Sequence, residues 1–264
     1  MSLAYAASPG GGHGAEPNIG EVILHHVLDA KLLNMHLFGI DFSITKHVLM
    51  MWIASALVVA VFRFAFREQQ LVPRGIANLL EAIIVFLRDE VILPNMGEDG
   101  KRYLPYLLTV FFFILFCNLL GLVPFCATAT GNVSVTAALA LMSLVMVQVG
   151  GIKKHGLSHH LHNLIPHGIP VWLLPIMIPV EIMGQFTKPF ALCIRLFANM
   201  TAGHIVILAF ISMIFILKSL AIAPVSIGFA LFINLLELFV SFLQAYIFTM
   251  LTSLFIGMSI HPQH

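Results

Sequence analysis

Between residues 171 and 217 the chain runs almost unbroken through apolar side chains, with Lys188 and Arg195 set inside the run. As one straight helix this stretch is roughly 70 Å long at 1.5 Å per residue, more than twice a hydrocarbon core of about 30 Å. A second overlong run spans Pro224 to Ile260. No strong turn signal breaks either one after Pro189, so tilt, the ordinary relief of hydrophobic mismatch, is expected rather than re-entrant turns. Arg195 is flanked by Phe190, Ala191, Leu192, Cys193 and Ile194 on one side and by Leu196 and Phe197 on the other. A guanidinium cannot shed its proton to ease that placement. Its cost at mid-bilayer runs from about 3 to over 10 kcal/mol, so an intramembrane arginine marks function by default.

The rest of the chain has the same character. Of 264 residues 59% are apolar and only 9% charged, against roughly 25% charged in a soluble domain. The expected fold class is an all-α polytopic membrane protein with about five membrane-embedded helices, the last two long and strongly tilted, plus one amphipathic surface helix. A net charge of +1, without any basic tract, argues against a nucleic-acid surface. Cys117, Cys126 and Cys193 form no CxxC, which disfavours a disulfide framework or thiolate zinc site. The opening MSLAYAASPGGGHG lacks the basic start and apolar centre of a signal peptide, and reads as a tail, with the first span serving as insertion signal.

Residues 1–44 are expected to form an outer tail and interfacial segment, with Ile19, Val22, Ile23, His26 and Val27 lining one face of a short helix. Residues 45–264 form a single membrane domain with spans at about 45–66, 103–123, 133–151, 171–217 and 224–260. Between the first two spans, Ile76, Leu79, Leu80, Ile83, Leu87 and Val91 recur at helical spacing opposite Arg74, Asn78, Glu81, Arg88 and Asp89. That pattern predicts an amphipathic helix over 73–93, opened by Pro73 and lying on the membrane face. Arg63, Arg67, Arg74, Arg88, Lys101, Arg102, Lys153 and Lys154 fall on one side of this arrangement, against Lys31, Lys46 and Lys218 on the other. The positive-inside rule puts the N-terminus outside and the C-terminus in the cytoplasm.

Two polar stripes interrupt the last two helices. Arg195 and Asn199 share a face at i, i+4, with Glu181 and Lys188 near it, while His204 lies roughly 180° away. In the final helix Asn234, Glu237, Ser241 and Gln244 form one line, with Tyr246 off it. A carboxylate beside hydrocarbon must be protonated, paired or wetted. One structural reading is an Arg195–Glu237 ion pair tying two helices, with His204 a satisfied core histidine and the amides as interhelical glue. The functional reading gives His204 and Glu237, which both titrate, a share in proton passage. Arg195 cannot relay a proton but attracts a partner's carboxylate and blocks leakage, so that protons must ride on something that moves.

Four segments then carry a resemblance. RLFANMTAGH (Arg195 to His204), ELFVSFLQAYIFTMLT (Glu237 to Thr252), and NLLGLVP (Asn118 to Pro124) with NVSVTAALAL (Asn132 to Leu141) resemble subunit a of the F-type ATP synthases. The resemblance covers most of the chain from Tyr103 onward. It implies that Arg195 faces the carboxylates of a ring of c subunits, with Asn199 and Gln244 lining the same interface. It implies that His204 and Glu237 are the acid–histidine pair of an outer half-channel; in some family members the two exchange places. Glu181 falls toward the inner half-channel. Further implications are partnership with peripheral-stalk b subunits, no cofactor, no metal and no catalytic site in this chain. Asn118 and Gly121 stand where some members carry an acid, and the histidine-rich GLSHHLHNLIPH has no counterpart role. The membrane expected is a bacterial plasma membrane. The competing classes are a self-contained ion transporter, for which no internal repeat is visible, and a histidine-ligated haem or metal membrane protein, prompted by 13 histidines that fall mostly in loops and tails.

Overall fold

The computed structural model describes residues 31–33, 36–37, 40–41, 44–67, 74–123, 128–156, 174–217 and 223–261. The helix expected around Ile19 to Val27 lies outside them, as do Pro73, Cys126, Lys218 and the histidines from His159 to His167. From Lys46 onward the described chain is mainly helical: α1 (Lys46–Ala65), α2 (Ile76–Phe86), α3 (Leu93–Met96), α4 (Gly100–Gly121), α5 (Val133–His155), α6 (Leu174–Leu217) and α7 (Ala223–Ile260). Ahead of α1 lie short antiparallel pairings. Strand β1 (Lys31–Leu33) pairs with β4 (Ile44–Thr45), and β2 (His36–Leu37) with β3 (Ile40–Asp41).

Five helical stretches are long and apolar enough to cross a membrane: Lys46–Ala65, Ile76–Gly121, Val133–His155, Met183–Phe210 and Pro224–Ile260. This is an all-α polytopic membrane protein. Helices α6 and α7 have 44 and 38 residues, roughly 66 and 57 Å at 1.5 Å per residue. Such rods stay within hydrocarbon only by lying strongly oblique.

The segment expected as a separate surface helix is modified by packing. It continues from α2 through a π-helical stretch (Leu87–Ile92), α3 and a 3-10 turn (Gly97–Asp99) directly into α4. Gly97 makes the turn at φ 59, a left-handed conformation that costs a glycine nothing. The apolar stripe also divides. Leu80, Leu87 and Val91 are buried with Ile92 and Met96, whereas Ile76 and Leu79 are exposed. The polar face of Arg74, Asn78, Glu81, Arg88 and Asp89 is exposed. Helix α7 explains the division, because it packs on α3 and the π turn. At Gly257 a Cβ would stand 2.2 Å from the Asn95 carbonyl oxygen.

Helices α4, α6 and α7 supply the centre of the core through Leu107, Phe111, Ile114, Leu192, Leu196, Ala245, Phe248 and Ile256. Trp52, Val59, Phe64, Phe190, Leu231 and Phe239 point outward. In lipid an outward Phe loses nothing, so close packing and interhelical hydrogen bonds decide which face turns in. Asn132 caps α5 by accepting from the Ser134 amide at 2.8 Å, and Lys153, Lys154 and His155 occupy its last turn, where cations suit the helix dipole.

Candidate functional site

The site lies between α6, α7 and the end of α4. Three contacts seat the helices. The Thr136 hydroxyl on α5 meets the buried Cys193 thiol on α6 at 3.3 Å, two residues before Arg195. Asn118 on α4, fully buried, donates to the Ser241 carbonyl of α7 at 3.3 Å and accepts from the Thr130 hydroxyl at 2.7 Å. The Asn199 amide on α6 donates to the Gln244 carbonyl oxygen on α7 at 2.8 Å.

His204 and Glu237 meet directly, Nδ1 to Oε1 at 2.7 Å. The carboxyl is buried at 5% exposure, and Gly203 is what admits it. A Cβ at position 203 would stand 2.9 Å from both Cδ and Oε1 of Glu237. The other edge of the ring is held as well. Nε2 lies 3.0 Å from the Gly121 carbonyl oxygen and 2.9 Å from the Thr128 hydroxyl. Thr128 packs over Gly121, where a Cβ would come within 2.2 Å of its hydroxyl oxygen. Its carbonyl accepts from Nδ1 of the buried His47 at 3.0 Å. Glu237 Oε2 and Gln244 Nε2 are buried without a hydrogen-bond partner among the described residues.

Arg195 behaves differently. It is exposed, and among the described residues no acid lies within ion-pair distance of it. The ion pair between Arg195 and Glu237 is therefore set aside, because the carboxylate is engaged by His204 instead. Lys188, two turns before Arg195, sits over the Phe255 ring at 5.2 Å, a cation–π contact. The side chain of Glu181 lies outside those described, although its backbone belongs to α6. Asn234 is exposed and leaves the line formed by Glu237, Ser241 and Gln244, which are buried.

The family model for the ATP synthase A chain matches residues 48–257. The chain belongs to that family. A protein of Chlorobium phaeobacteroides described as "ATP synthase subunit a" is 49% identical over 272 residues, covering 96% of this chain and 79% of the relative. One of the same description from Chloroherpeton thalassium is 48% identical, covering 91% and 77%. Another, from Myxococcus xanthus, is 56% identical over 229 residues, covering 85% and 75%.

The fold gathers His204 with Glu237 and Asn199 with Gln244. Sequence reasoning missed Gly203, Thr128 and the positioning part of Gly121. Gly203 has a weak signal, since a small residue beside a polar one in an apolar helix often marks close approach. Thr128 has none, because only the folded chain brings it to a residue 76 positions away. Among the described residues no group of three or more His, Cys, Asp and Glu side chains is placed to hold a metal ion.

Proposed function

We propose that this chain is the membrane stator of a proton-driven F-type ATP synthase, presenting Arg195 to a ring of carboxylate-bearing c subunits. One observation carries the reading: Arg195 is exposed with no acid partner among the described residues, while Glu237 on the neighbouring helix is occupied by His204. A permanent cation on an apolar helix needs an anion from another chain. Unit charges about 4 Å apart attract by roughly 4 kcal/mol at an effective dielectric near 20. That is comparable to the roughly 3 kcal/mol cost of an ionised acid at mid-bilayer on insertion scales. Arg195 thus offsets what a rotor carboxylate loses when it gives up its proton.

In this mechanism protons enter at the end where His204, Glu237, Thr128 and the start of α1 come together, and are handed to a rotor carboxylate. The rotor turns, and the proton leaves toward the opposite, basic end, past the level of Lys188 and Glu181. Asn199 and Gln244 hold α6 to α7 one turn from Arg195, Gln244 from a buried position behind that interface. The chain carries no bond-making site of its own; it spans a bacterial plasma membrane with its N-terminus outside and works beside the c ring and peripheral-stalk b subunits. Residues 45–264 act as one membrane unit.

The test is Arg195→Ala in the assembled complex. Coupled proton uptake into vesicles should vanish while passive proton leak rises. Arg195→Lys should rescue poorly, because an ammonium lacks the planar fork of a guanidinium. Full coupled uptake in the Ala variant would sink the proposal.

A further inference from the structure

The His204 ring is held at both nitrogens, and its two neighbours differ in what they accept. Nε2 lies 3.0 Å from the Gly121 carbonyl oxygen, and a carbonyl only accepts. At that distance Nε2 carries a hydrogen, since a bare nitrogen would set lone pair against lone pair in a half-buried place. The Thr128 hydroxyl, 2.9 Å from the same atom, donates or accepts and so adapts to either state. With Nε2 protonated, the 2.7 Å contact between Nδ1 and Glu237 Oε1 requires one proton between them. With none, a ring lone pair would face a carboxylate; with two, N–H would meet O–H. Glu237 Oε2 is the one atom of the pair that is buried and without a partner among the described residues.

We propose that the His204–Glu237 pair keeps one resident proton between Nδ1 and Oε1, set there by the Gly121 carbonyl, and exchanges the transported proton only at Glu237 Oε2. This rests on the proton-entry reading above and deepens it. In the resting pair the ring and carboxyl together are neutral. Oε2 takes a proton from water on the entry side, the pair becomes +1, and release of that proton toward the rotor restores neutrality. The hydrogen on Nε2 and the proton on the Nδ1–Oε1 line stay in place throughout. Thr128 is a positioning residue in this scheme, seated by the missing Cβ of Gly121 and anchored through its carbonyl by His47. The groups that meet the pair are Gly203 and the Met200 backbone on α6, the Ser241 hydroxyl, which donates to the Glu237 carbonyl at 2.8 Å, Gly121 on α4 and Thr128. From α1, His47 reaches the Thr128 carbonyl.

Nitrogen-15 NMR of ring-labelled histidine in the assembled synthase, reconstituted in vesicles, tests this. The His204 signals are obtained by difference against His204→Gln, and proton uptake is measured on the same samples. Nε2 is expected to keep a protonated-type shift at every pH where the complex is coupled. An unprotonated Nε2 at any such pH would overturn the resident-proton scheme and leave the entry reading intact, provided His204→Gln impairs uptake. Unimpaired uptake in His204→Gln would sink the entry reading itself. Thr128→Val, which keeps shape but removes the hydroxyl, should leave Nε2 protonated. Loss of that proton in the valine variant would overturn the assignment to the Gly121 carbonyl.

Discussion

Gly203→Ala is the smallest change that tests the geometry of the acid–histidine pair. The added methyl would stand 2.9 Å from Cδ and Oε1 of Glu237, where ordinary contact needs about 3.5–4.0 Å. The carboxyl must therefore retreat by roughly 0.5–1 Å. It has little freedom to do so, being buried and bonded to His204 at 2.7 Å, and a retreat of that size takes the pair beyond good hydrogen-bond length. A hydrogen bond to a charged group contributes about 1.5–3 kcal/mol, and overpacking costs about 1–3 kcal/mol. Replacing a helical glycine by alanine returns at most about 1 kcal/mol, so the loss wins. At about 1.4 kcal/mol per decade, loss of the hydrogen bond alone should slow proton delivery through the pair roughly 10- to 100-fold. Gly184→Ala, in the same helix and with no atom within 4 Å of the new methyl, is the matched control. ATP-driven acidification of inverted vesicles, normalised to assembled complex, reads the rate. If Gly203→Ala pumps as fast as Gly184→Ala, the packing argument is wrong.

Two other outcomes follow from contacts away from the pair. Asn118→Leu keeps the volume but deprives the Thr130 hydroxyl of its acceptor and the Ser241 carbonyl of a donor. Interhelical hydrogen bonds in membranes average about 0.6 kcal/mol with a maximum near 1.7, so a loss of about 1–3 kcal/mol is expected in mixed-micelle unfolding. An unchanged midpoint would exclude a structural role for Asn118. In the exposed 3-10 turn that precedes α4, Asp99 pairs with Lys154 and with His261 at 3.1 Å. The hydrogen bond from Lys154 holds its carboxyl below the usual carboxylate range. A depressed carboxyl supports the folded state fully above its unfolded pKa and loses that support as pH falls through the folded value. A spin label at the exposed Met258 should thus gain mobility only in acid, and Asp99→Asn should show the mobile spectrum at neutral pH. A spectrum that ignores both changes would refute the anchor.

The sequence by itself determined the class and the ingredients. Apolar runs longer than a bilayer is thick, a guanidinium among them and a 3.6-residue polar line through Glu237 and Gln244 are local patterns that survive without knowledge of neighbours. Family resemblance was legible for the same reason, since RLFANMTAGH is contiguous. Packing decided the rest. Residues 76–96 carry an amphipathic pattern, yet α7 reaches Asn95 so closely that half the stripe is buried and half turned out. Asn234 keeps the spacing of the polar line but sits exposed. Arg195 and Glu237 have opposite charges, and one reading of the sequence pairs them. The fold instead gives the carboxylate to His204, 33 positions away, and gives the ring's far edge to Gly121, 83 positions away. Such partners depend on how rigid helices cross and on which residues lack a Cβ, and helical periodicity contains neither.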